Sequence, residues 1–400
     1  MKIRPFLIIT ILALAIGQQG CTQESSKHLL ITGHVVPNAE WNSRLYLVRP
    51  EYYKQLISSY EGMVVDSAVI GADGSFTFYQ KPWLKEKGLY LLFVQPKGRP
   101  YANEIATPVT KENYICLVLE PGSSIQLSGD SRQLSRSYRL QSANAESRML
   151  AHLQSAREPL YREYESLKDA DTGDDPESWA THGNEETRKA IHTVLDAFLD
   201  TTQSVLPAFA ALRWRVPDNE FRDKPELYLQ VKNRLQQAAP QHPWLKELDY
   251  YMDPSRMPVL IGEPMPDFAL PNPEGDTLRI KDILSPLVLV DFWASWCAPC
   301  RRENKAFIRP LYDRYHAKGF NVLGVSIDAG KESWVNAIKR DGAIWYQVCD
   351  LMGDSSPVRS ELKFEYIPAN YLLDQSGRLL ARNLHGEELK AFVEAYFNNK

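Results

Sequence analysis

The chain has 400 residues, of which 44% are hydrophobic and 24% charged, with a formal net charge of −4 at neutral pH. That length exceeds one small domain and implies two or three, with ample apolar material for their cores. The absence of a basic excess disfavours a nucleic-acid partner.

Met1 to Gly20 carries two basic residues, Lys2 and Arg4, then an apolar run from Phe6 to Gly17 and a small residue before Cys21. The run is too short to span a bilayer and suits the core of a signal peptide. The Gly20-Cys21 junction resembles a bacterial lipoprotein cleavage site, although Gln18 stands where an aliphatic residue is usual. The resemblance implies an exported chain held to a membrane of the cell envelope by a lipid on Cys21; plain secretion and an uncleaved anchor are the alternatives.

A polar tether follows, and residues 21–131 then read as a β-domain. Leu29 to Val36, Leu45 to Arg49, Val64 to Ile70, Ser75 to Tyr79, Leu89 to Val94, Tyr114 to Leu119 and Ser124 to Leu127 have strand character. The third and fourth read as a hairpin across Gly71-Ala72-Asp73-Gly74. Strands at this density predict a small all-β sandwich or barrel. The pattern ITGHV, VDSAVIGADGSFTF, LVLEPGSSIQLSGD resembles the N-terminal β-domain of thioredoxin-like lipoproteins of the Bacteroidetes, and implies no reaction of its own.

Residues 132–256 change character. Leu150, Leu153, Leu160, Tyr161, Tyr164 and Leu167 fall on one helical stripe, and Ile191, Val194, Leu195 and Phe198 on another. Asp169 to Asn184 between them is acidic and contains glycine, as a loop does, and a third helix is expected over about Glu220 to Ala238. The aromatics here read as core, and the segment as a helical spacer. Met252 to Pro258, with two prolines, marks the boundary before a last domain over residues 257–400.

In that domain Leu287 to Trp293 is an apolar, β-branched and aromatic run, the signature of a strand buried on both faces of a mostly parallel sheet. Its one charge is Asp291. After Trp296-Cys297-Ala298-Pro299-Cys300 the spacing turns helical, with Phe307, Ile308, Leu311 and Tyr315 apolar among polar neighbours. Two cysteines therefore stand where a buried strand passes into a helix N-terminus. Unpaired N–H groups and the helix dipole stabilise a thiolate there, which predicts Cys297 as a partly exposed nucleophile of low pKa and Cys300 as the resolving thiol. Pro299 suits the first turn. Asp291, a lone carboxyl in an apolar strand, should have a raised pKa, as a proton acceptor near neutral pH requires.

VDFWASWCAPC resembles the thioredoxin active-site strand and loop, with Asp291 on the buried carboxylate thought to help move protons to and from the resolving cysteine. Gly262 to Leu270 resembles the opening hairpin of the TlpA/ResA-type thiol:disulfide oxidoreductases and of peroxiredoxins, and the first resemblance extends to about Asn399. It implies an α/β thioredoxin-like fold with a central insertion, in which Asn321 to Ile327 is a strand, Glu332 to Arg340 a helix and Ile344 to Val348 a strand. Tyr366 to Asp374 matches the stretch where that family places a cis-proline facing the dithiol. Trp296, Ala298, Pro299, Ile367 and Pro368 are then the residues that would meet a substrate, Ile367 by pairing its backbone with an extended peptide. Relatives usually carry Thr where Ala369 stands. Asp374 to Gly377 should form the last hairpin turn and Gly386 to Asn398 the closing helix.

The function expected is disulfide exchange with envelope proteins, the Cys297-Cys300 dithiol being the redox group and no cofactor or metal being needed. Ala298-Pro299 lacks the His of strongly oxidising sites and Asp291 resembles the reducing thioredoxin arrangement, which favours a reductase fed by a membrane-borne electron donor. Cytochrome c maturation and rescue of oxidised envelope proteins are the roles the resemblance suggests. A zinc site lacks a second cysteine pair, and none of the eight histidines stands at ligand spacing. A peroxidase needs Pro and Thr where Val290 and Ala294 stand. A partner-binding lipoprotein with an accessory redox domain is the alternative from another class, since the first 250 or so residues carry no nameable chemistry. Of the five cysteines, Cys116 and Cys349 remain, as buried free thiols or as a bridge between domains.

Overall fold

The computed structural model describes residues 28–398 apart from 57, 59–61, 106–111, 160–161, 164–165, 167–184, 218–220 and 365. The leader, Cys21, the acidic segment Asp169 to Asn184, and Leu160, Tyr161, Tyr164 and Leu167 lie outside the described residues. Strands β1 (Leu29–Val36), β2 (Trp41–Arg49), β3 (Met63–Val69), β4 (Ser75–Tyr79), β5 (Gly88–Pro96), β6 (Tyr114–Leu119), β7 (Ile125–Asp130) and β8 (Arg139–Ser142) form two sheets. Their orders are β4-β1-β7-β8 and β3-β2-β5-β6.

The sandwich agrees with the sequence, but the expected hairpin does not form. β3 pairs with β2 and β4 with β1, so the Gly71 to Gly74 turn carries the chain from one sheet to the other. Ala68 of β3 and Phe76 and Phe78 of β4 all enter the core between the sheets, which the crossing makes possible. The first sheet also continues past residue 131, because β8 pairs antiparallel with β7. With Leu140 its one apolar residue, β8 has no alternating signal to read.

Helices that follow among the described residues include α1 (Ala145–Ser155), α2 (Glu185–Thr201), α3 (Val205–Arg215), α4 (Pro225–Ala238) and α5 (Leu245–Tyr251). They are not a spacer. Leu150, Leu195, Phe209, Tyr228 and Leu248 share one core with Val48, Leu91, Phe93, Cys116 and Val118 on the outer face of the second sheet. The N-terminal unit therefore has three layers, and β6, buried at every position, lies in the middle one. Within α2, Ile191 and Leu195 face the core, whereas Val194 of the expected stripe is exposed.

β6 is also a sheet edge, and α1 closes it. Ser147 Oγ accepts the Val118 N–H at 3.0 Å and donates to the Val118 carbonyl at 2.9 Å. Two turns on, Gln154 accepts the Cys116 N–H at 3.3 Å and donates to the Tyr114 carbonyl at 2.9 Å. Two buried side chains thus supply the bonds a further strand would have made.

The C-terminal domain opens with Gly262 to Met265 laid along the chain at 377–379, the Gly262 N–H donating to the Leu379 carbonyl at 2.7 Å. A short hairpin follows, β9 (Ala269–Pro271) with β10 (Thr277–Arg279). A five-stranded sheet has the order β13-β12-β11-β14-β15. In it β11 (Leu287–Trp293) runs parallel to β12 (Phe320–Ser326) and antiparallel to β14 (Ala369–Asp374), with β13 (Tyr346–Cys349) and β15 (Leu379–Arg382) at the edges. Val288, Val290 and Phe292 of β11 face the hairpin and α9 (Pro357–Leu362); Leu287 and Leu289 face α7 (Arg309–Tyr315) and α10 (Gly386–Asn398). Between β11 and α7 lies α6 (Ala298–Glu303), and α8 (Lys331–Asp341) links β12 to β13. Glu226 of α4 joins the two halves, accepting the Ile261 N–H at 2.7 Å and pairing with Arg382.

Gln154→Leu should leave the Cys116 N–H and the Tyr114 carbonyl buried without partners, at about 1–3 kcal/mol for each group. Urea unfolding should register that loss as a lower midpoint for the N-terminal unit; an unchanged midpoint would contradict the edge-closing role.

Candidate active site

β11 is fully buried along its length, and its register against β12 and β14 fixes where its C-terminal end points. At that end the chain turns, with the Cys297 N–H donating to the Ala294 carbonyl at 3.1 Å. Asp328, itself buried, holds the turn: its carboxylate accepts the Ser295 N–H at 2.8 Å, the Ser295 hydroxyl at 2.6 Å and the Ser326 hydroxyl at 2.7 Å. Cys297 caps α6, with Sγ accepting the Cys300 N–H at 3.2 Å, and Pro299 occupies the first turn. The helix is anchored further along by Arg301, whose guanidinium meets Asp341 in two bonds of 2.7 and 2.6 Å.

Cys297 and Cys300 form a disulfide. The expectation of a partly exposed Cys297 is corrected: it is 5% exposed and Cys300 1%. The reason is an apolar cluster of Trp293, Ala294, Ile327, Trp334 and Cys349, against which Ile367 and Phe364 also pack. Exposure belongs to the surrounding residues. Trp296 is 64% and Tyr366 80% exposed, Met352 is exposed too, and Ala298 and Pro299 lie open at the helix start. Ile367-Pro368 is a cis peptide bond, and Ile367 packs in the same cluster as the dithiol.

Asp291 lies on the β11 face that carries Leu287 and Leu289, beneath α6. It is wholly buried, and its Oδ1 has no hydrogen-bond partner among the described residues. Burial holds its carboxyl well above the usual carboxylate range, and the charge of Glu303 pushes the same way. Cys116 and Cys349 are both free and buried, in separate clusters, so no bridge joins them. Among the described residues there is no group of three or more His, Cys, Asp or Glu placed to hold a metal ion.

Sequence reasoning did not single out Glu303, Asn304, Asp328 or His385. Glu303 is buried, its carboxylate 2.9 Å from His385 Nδ1 and accepting the Gly386 N–H at 2.9 Å. The signal available was spacing: Glu303 stands one helical turn after Cys300, on the same face.

A dithiol at a helix N-terminus, over a buried carboxyl and beside a cis-proline on a thioredoxin-like sheet, defines a thiol-disulfide oxidoreductase. Residues 261–382 match the AhpC/TSA family model. The chain is 26% identical over 136 residues to the thiol-disulfide oxidoreductase ResA of Bacillus thuringiensis subsp. konkukian, covering 34% of this chain and 76% of that one. A solved C-terminal domain from Bacteroides thetaiotaomicron, assigned as a thiol-disulfide oxidoreductase, is 38% identical and is matched over 98% of its length and 35% of this chain, with a TM-score of 0.34. A thiol-disulfide oxidoreductase of Bacteroides fragilis is 36% identical, with 98% of that chain and 33% of this one covered and a TM-score of 0.31. Residues 261–382 are thus an AhpC/TSA-type thioredoxin-like domain, similar to ResA.

The state of Asp291 sets a pH dependence of stability. An unfolded Asp titrates near about 3.9, and the folded value lies above it. Between the two values the folded chain alone keeps the proton, so this group's contribution is full below the unfolded value and is lost as pH rises through the folded one. Asp291→Asn should therefore gain stability relative to wild type on going from pH 4 to pH 8, by about 1.4 kcal/mol for each pH unit separating the two values. Denaturant titrations at the two pH values check this, and a pH-independent difference would sink it.

Proposed function

We propose that the protein is an exported reductase of disulfides in envelope proteins, held to its membrane by a lipid on Cys21. The observation that carries the redox step is the placement of Cys297 at the N-cap of α6 with Cys300 one turn in, on the helix that covers Asp291. Cys297 attacks the partner's disulfide, Cys300 attacks the mixed disulfide, and Asp291 accepts the Cys300 proton. Trp296, Tyr366 and Met352 offer an apolar surface to the partner, with Ala298, Pro299 and the Ile367-Pro368 backbone beneath it.

The reducing direction is supported by how few groups stand ready to stabilise a thiolate at Cys297. Its Sγ, bonded to Cys300 in this structure, accepts one backbone N–H, and Arg301 of α6 and Lys305 beyond it both pair with Asp341. A strong oxidant needs a strongly stabilised thiolate; without one the couple lies toward the reducing end and an electron donor in the membrane has to recharge it. Export rests on the leader and the Gly20-Cys21 junction, and no helix among the described residues is long and apolar enough to cross a membrane.

The reduction potential tests the reading. Trp296 fluorescence in dithiothreitol and glutathione buffers should place the couple near the thioredoxin value of about −270 mV; a value near about −120 mV would make the protein an oxidant. Cys297→Ser should abolish exchange, and Cys300→Ser should accumulate a mixed disulfide with the partner, detectable on non-reducing gels. Retained exchange by Cys297→Ser would remove the assignment of the nucleophile.

A further inference from the structure

Along β11 alternate residues share a face, so Asp291 projects with Leu287 and Leu289 toward the helices, and its register partner Asn370 on β14 projects beside it. On the helix above, Cys300, Glu303 and Asn304 are the buried positions, at the spacing of one helical face. Asp291 Oδ1 and both amide atoms of Asn304 are buried without a hydrogen-bond partner among the described residues. Unpartnered polar atoms from two elements thus lie on the same side of the sheet, in a layer that is otherwise apolar.

That polar seam continues to the surface. Glu303, close enough for its charge to act on Asp291, has its carboxylate 2.9 Å from His385 Nδ1. The Glu303 side chain is 9% exposed and that of His385 38%. Asn370 holds the turn that carries His385, donating to the Leu384 carbonyl at 2.6 Å and accepting the Leu384 N–H at 3.1 Å. The neighbour of Asp291 in the sheet therefore also positions the histidine at the mouth.

We infer that this seam is the path by which the proton of the resolving step reaches solvent and returns, Asn304 bridging, Glu303 relaying and His385 exchanging with water. The inference rests on Asp291 being the proton acceptor. When Cys300 Sγ attacks Cys297 Sγ, the S–S bond to the partner breaks and its electron pair leaves on the partner's sulfur. The Cys300 proton passes to the Asp291 carboxylate, thence to Glu303 and to His385 Nδ1, while Nε2 releases one to water. Re-reduction runs the transfers backward and restores the tautomer of the ring. Other charged groups on these elements are engaged or face outward: Arg301 and Lys305 pair with Asp341, Glu387 with Lys390, Arg382 with Glu226, and Arg302 and Glu388 are exposed.

The test is single-turnover closure of the Cys297-Cys300 disulfide in the full chain, followed by Trp fluorescence with a protein disulfide as oxidant. His385→Ala should close about a hundredfold more slowly, the lower end of what a placed proton-transfer group contributes. Added imidazole should restore the rate, while the reduction potential stays unchanged. His385→Asn, which keeps a polar group beside Glu303 but has no second ring nitrogen, should be slow in the same way and serves if the alanine variant does not fold. Wild-type rates in the histidine variants, or slow rates that imidazole leaves slow, would overturn the path. Asp291→Asn separates the two readings: if it closes at the wild-type rate, the acceptor role fails and the path with it; if it is slow while the histidine variants are fast, the path alone fails.

Discussion

A carboxyl group in the middle of a strand buried on both faces, with no cation beside it, cannot hold its charge cheaply. Asp291 is in that position, and the arrangement of the catalytic domain follows from it. The charge that acts on it is that of another acid, Glu303, so the electrostatic field adds to the desolvation penalty. A group so placed binds a proton tightly and gives it up only where a path exists. α6 lies on the side of the sheet toward which Asp291 projects, with Cys300 on its buried face, so in the proposed cycle a carboxyl held well above the usual carboxylate range serves the thiol that loses and regains a proton.

The same burial explains why the dithiol is covered. The strand that carries Asp291 has to be sealed on both faces, and Trp293, Trp334, Ile327 and Cys349 continue the seal to the end of β11. A cysteine at the end of such a strand inherits the cover, and Cys297 does. Reactivity then comes from placement at the helix N-cap, and access from the side chains around the rim, Trp296 and Tyr366 above all. Asp328 keeps the two features together, since its carboxylate ties the Ser295 turn to the end of β12 and so fixes the point at which strand becomes helix.

Much of this was legible in the sequence wherever the signal is local. β1, β4, β6, β11 and α10 run over the residues that their apolar patterns mark, and the dithiol, the acid and the cis-proline are each carried by a few consecutive residues. What the sequence hid is non-local. The turn at Gly71 to Gly74 looks like a hairpin because nothing nearby records that its two strands belong to different sheets. α3, apolar nearly all round, has no stripe, since it is buried on every side between the second sheet and the other helices. Glu303 and Asn304 stand among the polar residues of a helix and His385 carries no pattern of its own; the meeting of Glu303 and His385 depends on Asn370 holding the turn at Leu384.

The four cysteines among the described residues are almost equally hidden, Cys300 at 1% included, so exposure does not decide which one reacts. Cys116 is 0% exposed, Cys349 1% and Cys297 5%. Burial pushes the thiols of Cys116 and Cys349 up, toward the protonated and unreactive form. Cys116 lies in the middle layer of the N-terminal unit, its backbone N–H tied to Gln154. Cys349 Sγ is bound between the Asp328 carbonyl and the Leu351 N–H. Cys297 differs in capping a helix, where its sulfur takes an N–H that has no other acceptor, and in lying next to a rim of single exposed side chains. In a protein read as working outside the cytoplasm, two further thiols can persist unpaired because selectivity is set by the local field and by the motion needed to reach the sulfur. In the proposed cycle the buried carboxyl and the helix end serve the same two residues, Cys297 and Cys300, and neither of the others.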